Sequence, residues 1–463
     1  MPTEFNAYNR NFDSPATHYS PRFHVDAPNV IAELNNHILA DGFKPIVDLA
    51  HSKGSYLTDK VTGKRYLDMF TCIASMPIGW NHPKMTDPAF LHYLAQAAIN
   101  KPSNSDLYSE EMAAFVKTFF KIAVPDHFKY GFFIEGGALA VENALKTAID
   151  WKVRQNFRKG IQTERGHQIM HFRQAFHGRS GYTMSLTNTD PTKTALYPKF
   201  DWPRIHNPAV RFPLDTANLE QVIREENIAV EQMKAAFAAN PDHIAAIILE
   251  PIQGEGGDNH FRHEFMQTLR NIADENDALL IFDEVQTGMG ISGEMWAHQA
   301  IGVNPDIISF GKKSQVCGIL VGDRIDNEPE HVFRVSSRIN STWGGNLTDM
   351  VRVARYLEII DEERLVDNAR NMGQLLQSTL QKLGEDYPDT VSNARGLGLF
   401  CAFDLPSADI RAKFLNKSFE QGLMIWICGE RSVRFRPPLN ISASEIQEAD
   451  SIIRNILNDL KNA

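Results

Sequence analysis

The feature that most constrains the fold is an apolar run that ends abruptly in an acid, within residues 278–287. Residues 279–282 are apolar without alternation, a pattern typical of a central strand in a parallel sheet covered on both faces. Asp283 follows directly, so it would stand at the carboxyl edge of the sheet, where open α/β sheets hold their ligands. The alternative is that Asp283 caps the next helix, since Asp is a favoured N-cap.

A second short strand is expected at residues 306–310, and Gly311 and Lys312 follow it. An Asp and a Lys at two strand ends are the pair that pyridoxal phosphate chemistry needs. The amine forms a Schiff base with the cofactor aldehyde, and the acid pairs with the pyridinium nitrogen. We therefore expect Asp283 and Lys312 to be catalytic. The adjacent Lys313 leaves open which amine reacts, and two solvated lysines are the alternative interpretation.

The composition is that of an ordinary globular protein, with 43% hydrophobic and 22% charged residues in a chain of 463. The net charge of −10 argues against nucleic acid or an anionic membrane as a partner. No apolar run approaches the length of a membrane span, and the N-terminus lacks a signal pattern, which together favour a cytoplasmic protein. The four cysteines have no CxxC spacing, so they indicate reduced thiols and no metal site.

Strand-like and helical segments alternate along most of the chain, which predicts a parallel sheet covered by helices. Residues 129–134, 167–172 and 244–249 are further expected strands of that sheet. From about residue 347 the pattern changes to that of a smaller α+β domain. There we expect one long helical stretch to about residue 383 and then one strand-like run at 396–404.

A glycine turn and a helical pattern follow residues 129–134, so the backbone N–H groups of Gly137 and Ala138 would lie at a helix N-terminus. Such groups, with the helix dipole behind them, form an anion site that suits a cofactor phosphate. Phe176 follows another expected strand and could stack on a flat cofactor ring, and Arg179 could bind a carboxylate bidentately. Packing and a surface charge are the alternative interpretations of these two side chains.

A literal GxGxxG motif runs from Gly288 to Gly293. In a dinucleotide-binding unit the first glycine follows its strand at once, and an acid ends the next strand. Here residues 283–287 intervene, and Asp306 begins the next strand instead of ending it. We therefore do not expect a dinucleotide site.

Four motifs resemble those of the class III pyridoxal-phosphate aminotransferases. They are EPIQ at 250–253, FDEVQTG at 282–288, PDIISFGK at 305–312 and TWGGN at 342–346. Within that class, further segments are similar to the L-lysine 6-aminotransferases, namely 100–106, 133–144, 310–318 and 430–439. The resemblance covers nearly the whole chain, from a hairpin predicted at 54–70 to the region of Arg434.

The resemblance implies the aspartate-aminotransferase fold (PLP fold type I), an α/β fold with a mostly parallel sheet in a large domain and a smaller α+β domain. The implied division is an N-terminal segment, 1–75, that contributes to the small domain, a large cofactor-binding domain, 76–346, and a C-terminal small domain, 347–463. The resemblance also implies a homodimer with shared active sites.

The resemblance assigns roles toward pyridoxal 5'-phosphate to the matching residues. They are Lys312 at the aldehyde, Asp283 at the ring nitrogen, Gln286 at the ring hydroxyl, Phe176 on the ring face, Gly137 and Ala138 at the phosphate, and Thr342 at the phosphate in the neighbouring subunit. Counting from Asp306, as the class motif does, selects Lys312 over Lys313. One departure is that residues 314–317 stand where the class usually has a glycine-rich run.

Substrate-binding roles are implied for Arg179, Glu255, Arg434, Asn340 and Ser341. Arg179 would hold the far carboxylate of the substrate. Glu255 would pair with Arg434 while lysine is bound and move away when a substrate carboxylate takes its place. The glycines that flank Glu255 would permit that movement.

The implied reaction transfers the terminal amine of L-lysine to 2-oxoglutarate and gives 2-aminoadipate 6-semialdehyde and L-glutamate by a ping-pong mechanism. Another class III ω-aminotransferase, acting on ornithine, 4-aminobutyrate or a diamine, is the nearest alternative. A non-catalytic ligand-binding protein of the same fold is the distant one, disfavoured because both Asp283 and Lys312 are present.

Overall fold

The computed structural model describes residues 19–461 of the chain. Its strands are β1 (Tyr56–Thr58), β2 (Arg65–Asp68), β3 (Phe128–Ile134), β4 (Gln168–Phe172), β5 (Arg204–Ile205), β6 (Ile244–Leu249), β7 (Leu279–Asp283), β8 (Ile307–Phe310), β9 (Cys317–Gly322), β10 (Ser392–Leu397), β11 (Phe400–Asp404), β12 (Leu423–Met424), β13 (Trp426–Cys428) and β14 (Ser432–Phe435).

Helices separate most of these strands. They are α1 (Val30–Asn35), α2 (Thr71–Ala74), α3 (Pro88–Ile99), α4 (Glu110–Ile122), α5 (Gly137–Arg158), α6 (Thr183–Leu186), α7 (Pro191–Thr194), α8 (Thr216–Ala239), α9 (His263–Glu275), α10 (Ala297–Ile301), α11 (Leu347–Glu362), α12 (Leu365–Asp386), α13 (Ala408–Glu420) and α14 (Ala443–Lys461). All four residues of α2 have positive φ, so this element is one left-handed turn.

The main sheet has the strand order β3-β9-β8-β7-β6-β4-β5. Strands β5, β4, β6, β7 and β8 pair in parallel, and β9 runs antiparallel to both of its neighbours. The strand that ends in Asp283 is therefore central, as predicted, and the sheet is mostly parallel. The fold is therefore an α/β fold, as expected.

The unbroken apolar character of β7 has a direct structural reason. Leu280 and Phe282 lie in one hydrophobic core, which also contains Phe265 of α9, whereas Leu279 and Ile281 lie in a second core with residues of α5. Successive side chains of a strand point to opposite faces, so both faces of β7 are covered. Burial of each such side chain contributes about 1.5–3 kcal/mol relative to exposure.

Two smaller sheets lie outside the main one, with the orders β1-β2-β12 and β10-β11-β14-β13. The antiparallel pair of β1 and β2 is the hairpin predicted at 54–70. Strand β12 pairs in parallel with β2, so a strand near each end of the chain shares one sheet. This pairing is in keeping with a small domain built from both termini, while the boundaries proposed at 75/76 and 346/347 stay predictions.

Of two expectations for the C-terminal part, one is confirmed and one is wrong. The helical stretch expected from 347 to about 383 consists of two helices, α11 and α12, and Arg364 between them has a positive φ of 51°. The single strand expected at 396–404 is the hairpin of β10 and β11. Gly398 forms its turn with a φ of 56°, and an added Cβ there would lie 2.4 Å from the carbonyl oxygen of Ile291.

The GxGxxG segment forms turns after β7, and no helix begins within it. Gly288 is needed there for packing, since an added Cβ would lie 2.5 Å from the ring of Trp296. This arrangement differs from a dinucleotide-binding turn, in which a glycine opens a helix. None of the helices within residues 19–461 has the length and apolar character to cross a membrane.

Candidate active site

A cavity of about 640 Å³ opens at the carboxyl edge of the main sheet. Three adjacent strands deliver side chains to it, because β6 is followed by Glu250, β7 ends in Asp283, and β8 is followed by Gly311 and Lys312. Parallel strands end at the same edge, and ligands of open α/β sheets bind there. The structure therefore brings the two residues predicted to be catalytic, Asp283 and Lys312, into one cavity.

Three hydrogen bonds fix the buried carboxylate of Asp283. The hydroxyl of Ser309 donates to Oδ1 at 3.0 Å, and the backbone N–H of Val285 donates to the same oxygen at 3.1 Å. Nδ1 of His177 lies 2.8 Å from Oδ2, and since a carboxylate accepts, this nitrogen carries the proton. Asp283 is thus held in one orientation at the wall of the cavity and is not the cap of a helix.

The two lysines differ in where their side chains lie. Lys312 lines the cavity, and burial, aided by nearby Arg434, lowers the pKa of its amine. Lys313 points elsewhere: it is fully buried and its Nζ donates to the carbonyl oxygen of Gln286 at 2.8 Å. Burial also holds the pKa of Lys313 well below its usual value. Neither amine is the solvated surface group of the alternative interpretation.

The N-terminus of α5 borders the cavity, as predicted for a phosphate site. Gly136 precedes the helix with a φ of 100°, and Gly137 and Ala138 line the cavity. Gly178 lies against them so closely that an added Cβ would stand 2.5 Å from the Cβ of Ala138. Free N–H groups at a helix start and a surrounding without bulky side chains suit an anionic group.

The remaining polar groups also fit pyridoxal phosphate. Gln286 lines the cavity with a buried Oε1 that has no hydrogen-bond partner among residues 19–461, and the same holds for Nε2 of His177. Buried polar atoms are normally paired, so such orphans indicate a missing ligand group. The Asp283 carboxylate, the Lys312 amine and the N-terminus of α5 border the same cavity, and Phe176 and Val285 form apolar walls. Together these groups match the cofactor's ring, aldehyde and phosphate.

Glu250 is a buried acid that joins the site to its neighbouring loops. Burial, aided by the nearby Asp283, raises the pKa of Glu250 well above the usual 4.5. Its two oxygens accept from the backbone N–H of Phe176 at 2.9 Å and from that of Gly254 at 3.2 Å. One side chain thereby fixes both the aromatic wall of the cavity and the loop that carries Glu255.

The rim of the cavity carries the predicted substrate residues Arg179, Glu255 and Arg434. Arg434, in β14, is buried, and its Nη2 lies 3.7 Å from Oε2 of Glu255. Its Nη1 has no partner within the described part of the chain. Arg179 is exposed and available for a ligand.

Gly254 and Gly256, which flank Glu255, pack closely against neighbouring residues. An added Cβ on Gly254 would lie 2.4 Å from Oε1 of Gln286, and one on Gly256 would lie 2.0 Å from the carbonyl oxygen of Gln174. The carbonyl oxygen of Glu255 itself accepts from the N–H of Gly429 at 2.9 Å. These glycines serve close packing, and the hydrogen bond holds the backbone of Glu255, while movement of its side chain stays a prediction.

Three predicted residues, Asn340, Ser341 and Thr342, do not line the cavity of their own chain. The backbone N–H of Ser341 donates to Oδ1 of Asn340, and the carbonyl oxygen of Thr342 accepts from the hydroxyls of Ser103 and Ser105. The side chain of Thr342 is exposed. Their roles toward cofactor and substrate stay predictions.

The lining residues that were not selected in the sequence include His177, Val285, Lys193 and Trp426. His177 and Val285 each stand next to a residue that was selected, so adjacency was the available signal. Lys193 lies in the short helix α7, and its Nζ contacts Oε1 of Glu255. No pattern in the sequence connects Lys193 or Trp426 to the site.

The chain is similar to known proteins over most of its length. The family model for Aminotransferase class-III matches residues 39–457. The chain is 51% identical over 425 residues to the L-lysine-epsilon aminotransferase of Mycobacterium tuberculosis, covering 92% of this chain and 94% of that protein. It is 49% identical to the L-lysine-epsilon aminotransferase of Streptomyces clavuligerus, covering 94% of this chain and 95% of that protein. A solved structure of the lysine aminotransferase from M. tuberculosis matches with a TM-score of 0.92 at 50% identity, covering 94% of this chain and 99% of that chain.

Proposed function

Because the chain belongs to the class III aminotransferases, which are pyridoxal-phosphate-dependent transaminases, we propose that it transfers the terminal amine of L-lysine to 2-oxoglutarate. The products are 2-aminoadipate 6-semialdehyde and L-glutamate. The names of the relatives at 49–51% identity support lysine as the donor. The observation that carries the proposal is the Glu255–Arg434 pair in the cavity of Lys312, because it offers one pocket to two unlike substrates.

The cofactor, when bound, supplies an electrophilic carbon for the substrate amine and an electron sink for the carbon that loses a proton. Lys312 would hold the cofactor and move the proton at the reacting substrate carbon, a task suited to an amine whose pKa burial has lowered. Asp283 would keep the ring nitrogen protonated, oriented by Ser309 and His177. Gln286 would form a hydrogen bond with the ring hydroxyl.

The phosphate would be bound by the N–H groups of Gly137 and Ala138 at the start of α5. Phe176 would stack on the ring, and its position follows from the hydrogen bond of its N–H to Glu250. Thr342 would contact the phosphate held by a second copy of the chain. The exposure of Thr342 on its own chain supports this homodimer with shared sites.

Substrate choice follows from the charges around the reacting carbon. Arg179 would hold the α-carboxylate of lysine at the rim, which leaves the terminal amine at the cofactor. Glutamate brings its α-carboxylate to the reacting carbon, and this carboxylate would bind Arg434 in place of Glu255. Leaving the charge of Arg434 unpaired would cost about 3–5 kcal/mol, so Glu255 is needed whenever lysine occupies the site. Asn340 and Ser341 would contribute to the substrate site from the segment that carries Thr342.

We also propose that the protein works in the cytoplasm. Its cysteines, Cys72, Cys317, Cys401 and Cys428, are all free thiols. Free thiols suit a reducing compartment.

Product identification tests the proposed reaction. Purified protein loaded with pyridoxal phosphate is incubated with 2-oxoglutarate and, separately, L-lysine, ornithine or 4-aminobutyrate. We expect glutamate to form fastest with lysine and the lysine product to be the terminal aldehyde, which cyclises with its own α-amine. An α-keto acid product from lysine, or faster turnover of ornithine or 4-aminobutyrate, would overturn the proposal.

A further inference from the structure

Glu255 is shared between two cations in this structure. Its Oε1 contacts Nζ of Lys193, and its Oε2 lies 3.7 Å from Nη2 of Arg434. The Lys193 contact is the closer of the two, while the distance to Arg434 exceeds that of a hydrogen bond. Glu255 therefore pairs mainly with Lys193 and only loosely with Arg434.

The structure holds Lys193 in place for this contact. It lies in α7, whose N-terminus is capped by Asp190 through a hydrogen bond from the N–H of Thr192 at 2.9 Å. Its side chain is 26% exposed, and its ammonium lies 5.7 Å from the centre of the Phe176 ring. An aromatic face within about 6 Å attracts a cation, so the ammonium is attracted to the same wall that would carry the cofactor ring.

Arg434 is left ready for a carboxylate by this arrangement. Its side chain is 2% exposed, and its Nη1 has no partner among residues 19–461. A buried guanidinium needs a compensating charge, and Glu255 supplies it at 3.7 Å without a hydrogen bond. A substrate carboxylate that enters beside Arg434 therefore has an open donor to bind.

We propose that Lys193 is a positioning residue that holds Glu255 when a dicarboxylate substrate takes Arg434, and so favours dicarboxylates over lysine at the same site. The backbone of Glu255 is fixed by the hydrogen bond from the N–H of Gly429. Its side chain lies between Lys193 and Arg434, so rotation of the side chain shifts the carboxylate from one cation towards the other. Without Lys193, Glu255 would have no second partner and would compete with the substrate for Arg434. This inference rests on the proposed function, in which one cavity binds both kinds of substrate.

The test measures binding and does not depend on turnover. The dissociation constant of glutarate, a five-carbon dicarboxylate without an amine or keto group, is measured by calorimetry on the holoenzyme. The variants are Lys193→Met, which keeps the length and removes the charge, and Lys193→Arg, which keeps the charge. Lys193→Gln replaces the first variant if that one does not fold. The matched control is Lys159→Met, since Lys159 pairs with Asp277 at the far end of α5, about 33 Å along the helix from Gly137.

We expect Lys193→Met to weaken glutarate binding about fivefold, the effect of losing one partly exposed ion pair. Lys193→Arg and Lys159→Met should bind glutarate as the wild type does. In the Glu255→Ala background, Lys193→Met should have no further effect, because Lys193 acts through Glu255. Unchanged binding in Lys193→Met would overturn the inference, and so would an equal weakening in the Glu255→Ala background, which would mean that Lys193 binds the dicarboxylate itself.

The half-reaction with L-lysine adds a second readout. Lys193→Met should leave it intact or faster, because Glu255 is then free to pair fully with Arg434. If Lys193→Met slows the half-reaction with lysine by as large a factor as it weakens glutarate binding, Lys193 has a merely structural role and the inference is refuted. Glutarate binding by the variants and identification of the reaction products are separate measurements. Failure of the lysine reaction in the wild type would therefore reject the proposed function, whereas the glutarate dissociation constants decide the role of Lys193.

Discussion

Replacing Asp283 by Asn separates the charge of the site from its shape. In the structure Oδ1 of Asp283 accepts from the hydroxyl of Ser309 and the N–H of Val285, and an Asn oxygen can accept both hydrogen bonds. The amide nitrogen then replaces Oδ2, which lies 2.8 Å from Nδ1 of His177. The imidazole has to place its proton on the other nitrogen, so the packing is kept while the carboxylate is lost.

The size of the effect follows from burial. Asp283 is 4% exposed, so water does not replace the lost charge beside the cofactor ring nitrogen. A charge-assisted hydrogen bond is roughly twice as strong as a neutral one, and the ring should lose much of its capacity as an electron sink. We expect the half-reaction with L-lysine to slow by at least about 100-fold, equivalent to about 2.7 kcal/mol.

Stopped-flow absorbance of the half-reaction provides the measurement, with cofactor content determined on the same sample. Ser309→Ala is the matched control, because it removes one hydrogen bond to the same oxygen but leaves the charge. Its half-reaction should slow less than that of Asp283→Asn, because the carboxylate keeps its charge and still accepts from the N–H of Val285. Turnover of Asp283→Asn within about threefold of the wild type, with cofactor bound, would refute the role given to the carboxylate.

Three further predictions test other parts of the site. Lys312→Ala should abolish turnover, whereas Lys313→Met should keep most of the turnover and lower the melting temperature, because only Lys312 lines the cavity. Activity assays and thermal unfolding of both variants check this. Reversed results would exchange the roles of the two lysines. The folded state raises the pKa of Glu250, so the wild type should lose stability as pH rises from about 4.5 towards the raised pKa, by up to about 1.4 kcal/mol per pH unit. Glu250→Gln should lack this slope in urea unfolding between pH 5 and 8, and parallel slopes for both proteins would contradict the assignment. Glu255→Ala should slow the half-reaction with lysine more than that with glutamate, and Arg434→Ala should do the opposite. Equal losses of rate for both substrates in stopped-flow experiments would argue against the exchange of Glu255 and a substrate carboxylate at Arg434.

Much of the main sheet could be predicted because its strands are buried on both faces. Residues 244–249 and 279–282 are apolar without interruption, and the structure places β6 and β7 side by side at the centre. β9 was not predicted, although all of its residues are buried, because glycines occupy two of its six positions and weaken the strand pattern. β9 also runs antiparallel, and strand direction depends on a connection that local sequence does not specify.

The placement of Asp283 and Lys312 at one edge of the sheet could be predicted because each lies at the end of a recognisable strand or just after it, but the residues that orient them could not. His177 reaches Asp283 from a loop after β4, and Glu250 reaches the N–H of Phe176 from the end of β6. Such contacts join distant segments through one or two atoms and leave no periodic pattern. The close packing of Gly254 beside Glu255 could not be predicted for a related reason, since the side chain of Gln286, which Gly254 accommodates, comes from another loop.

The lowered pKa of Lys312 is itself a product of the tertiary structure. Burial favours the neutral amine, and the guanidinium of Arg434 adds repulsion, so the pKa of Lys312 is lowered by two causes that act together. Arg434 comes from β14 in one of the smaller sheets, whereas Lys312 follows β8 of the main sheet. The residue that would receive the substrate carboxylate therefore also lowers the pKa of the Lys312 amine. A carboxylate bound to Arg434 would offset that repulsion, so substrate binding and the pKa of Lys312 would be coupled through a single guanidinium.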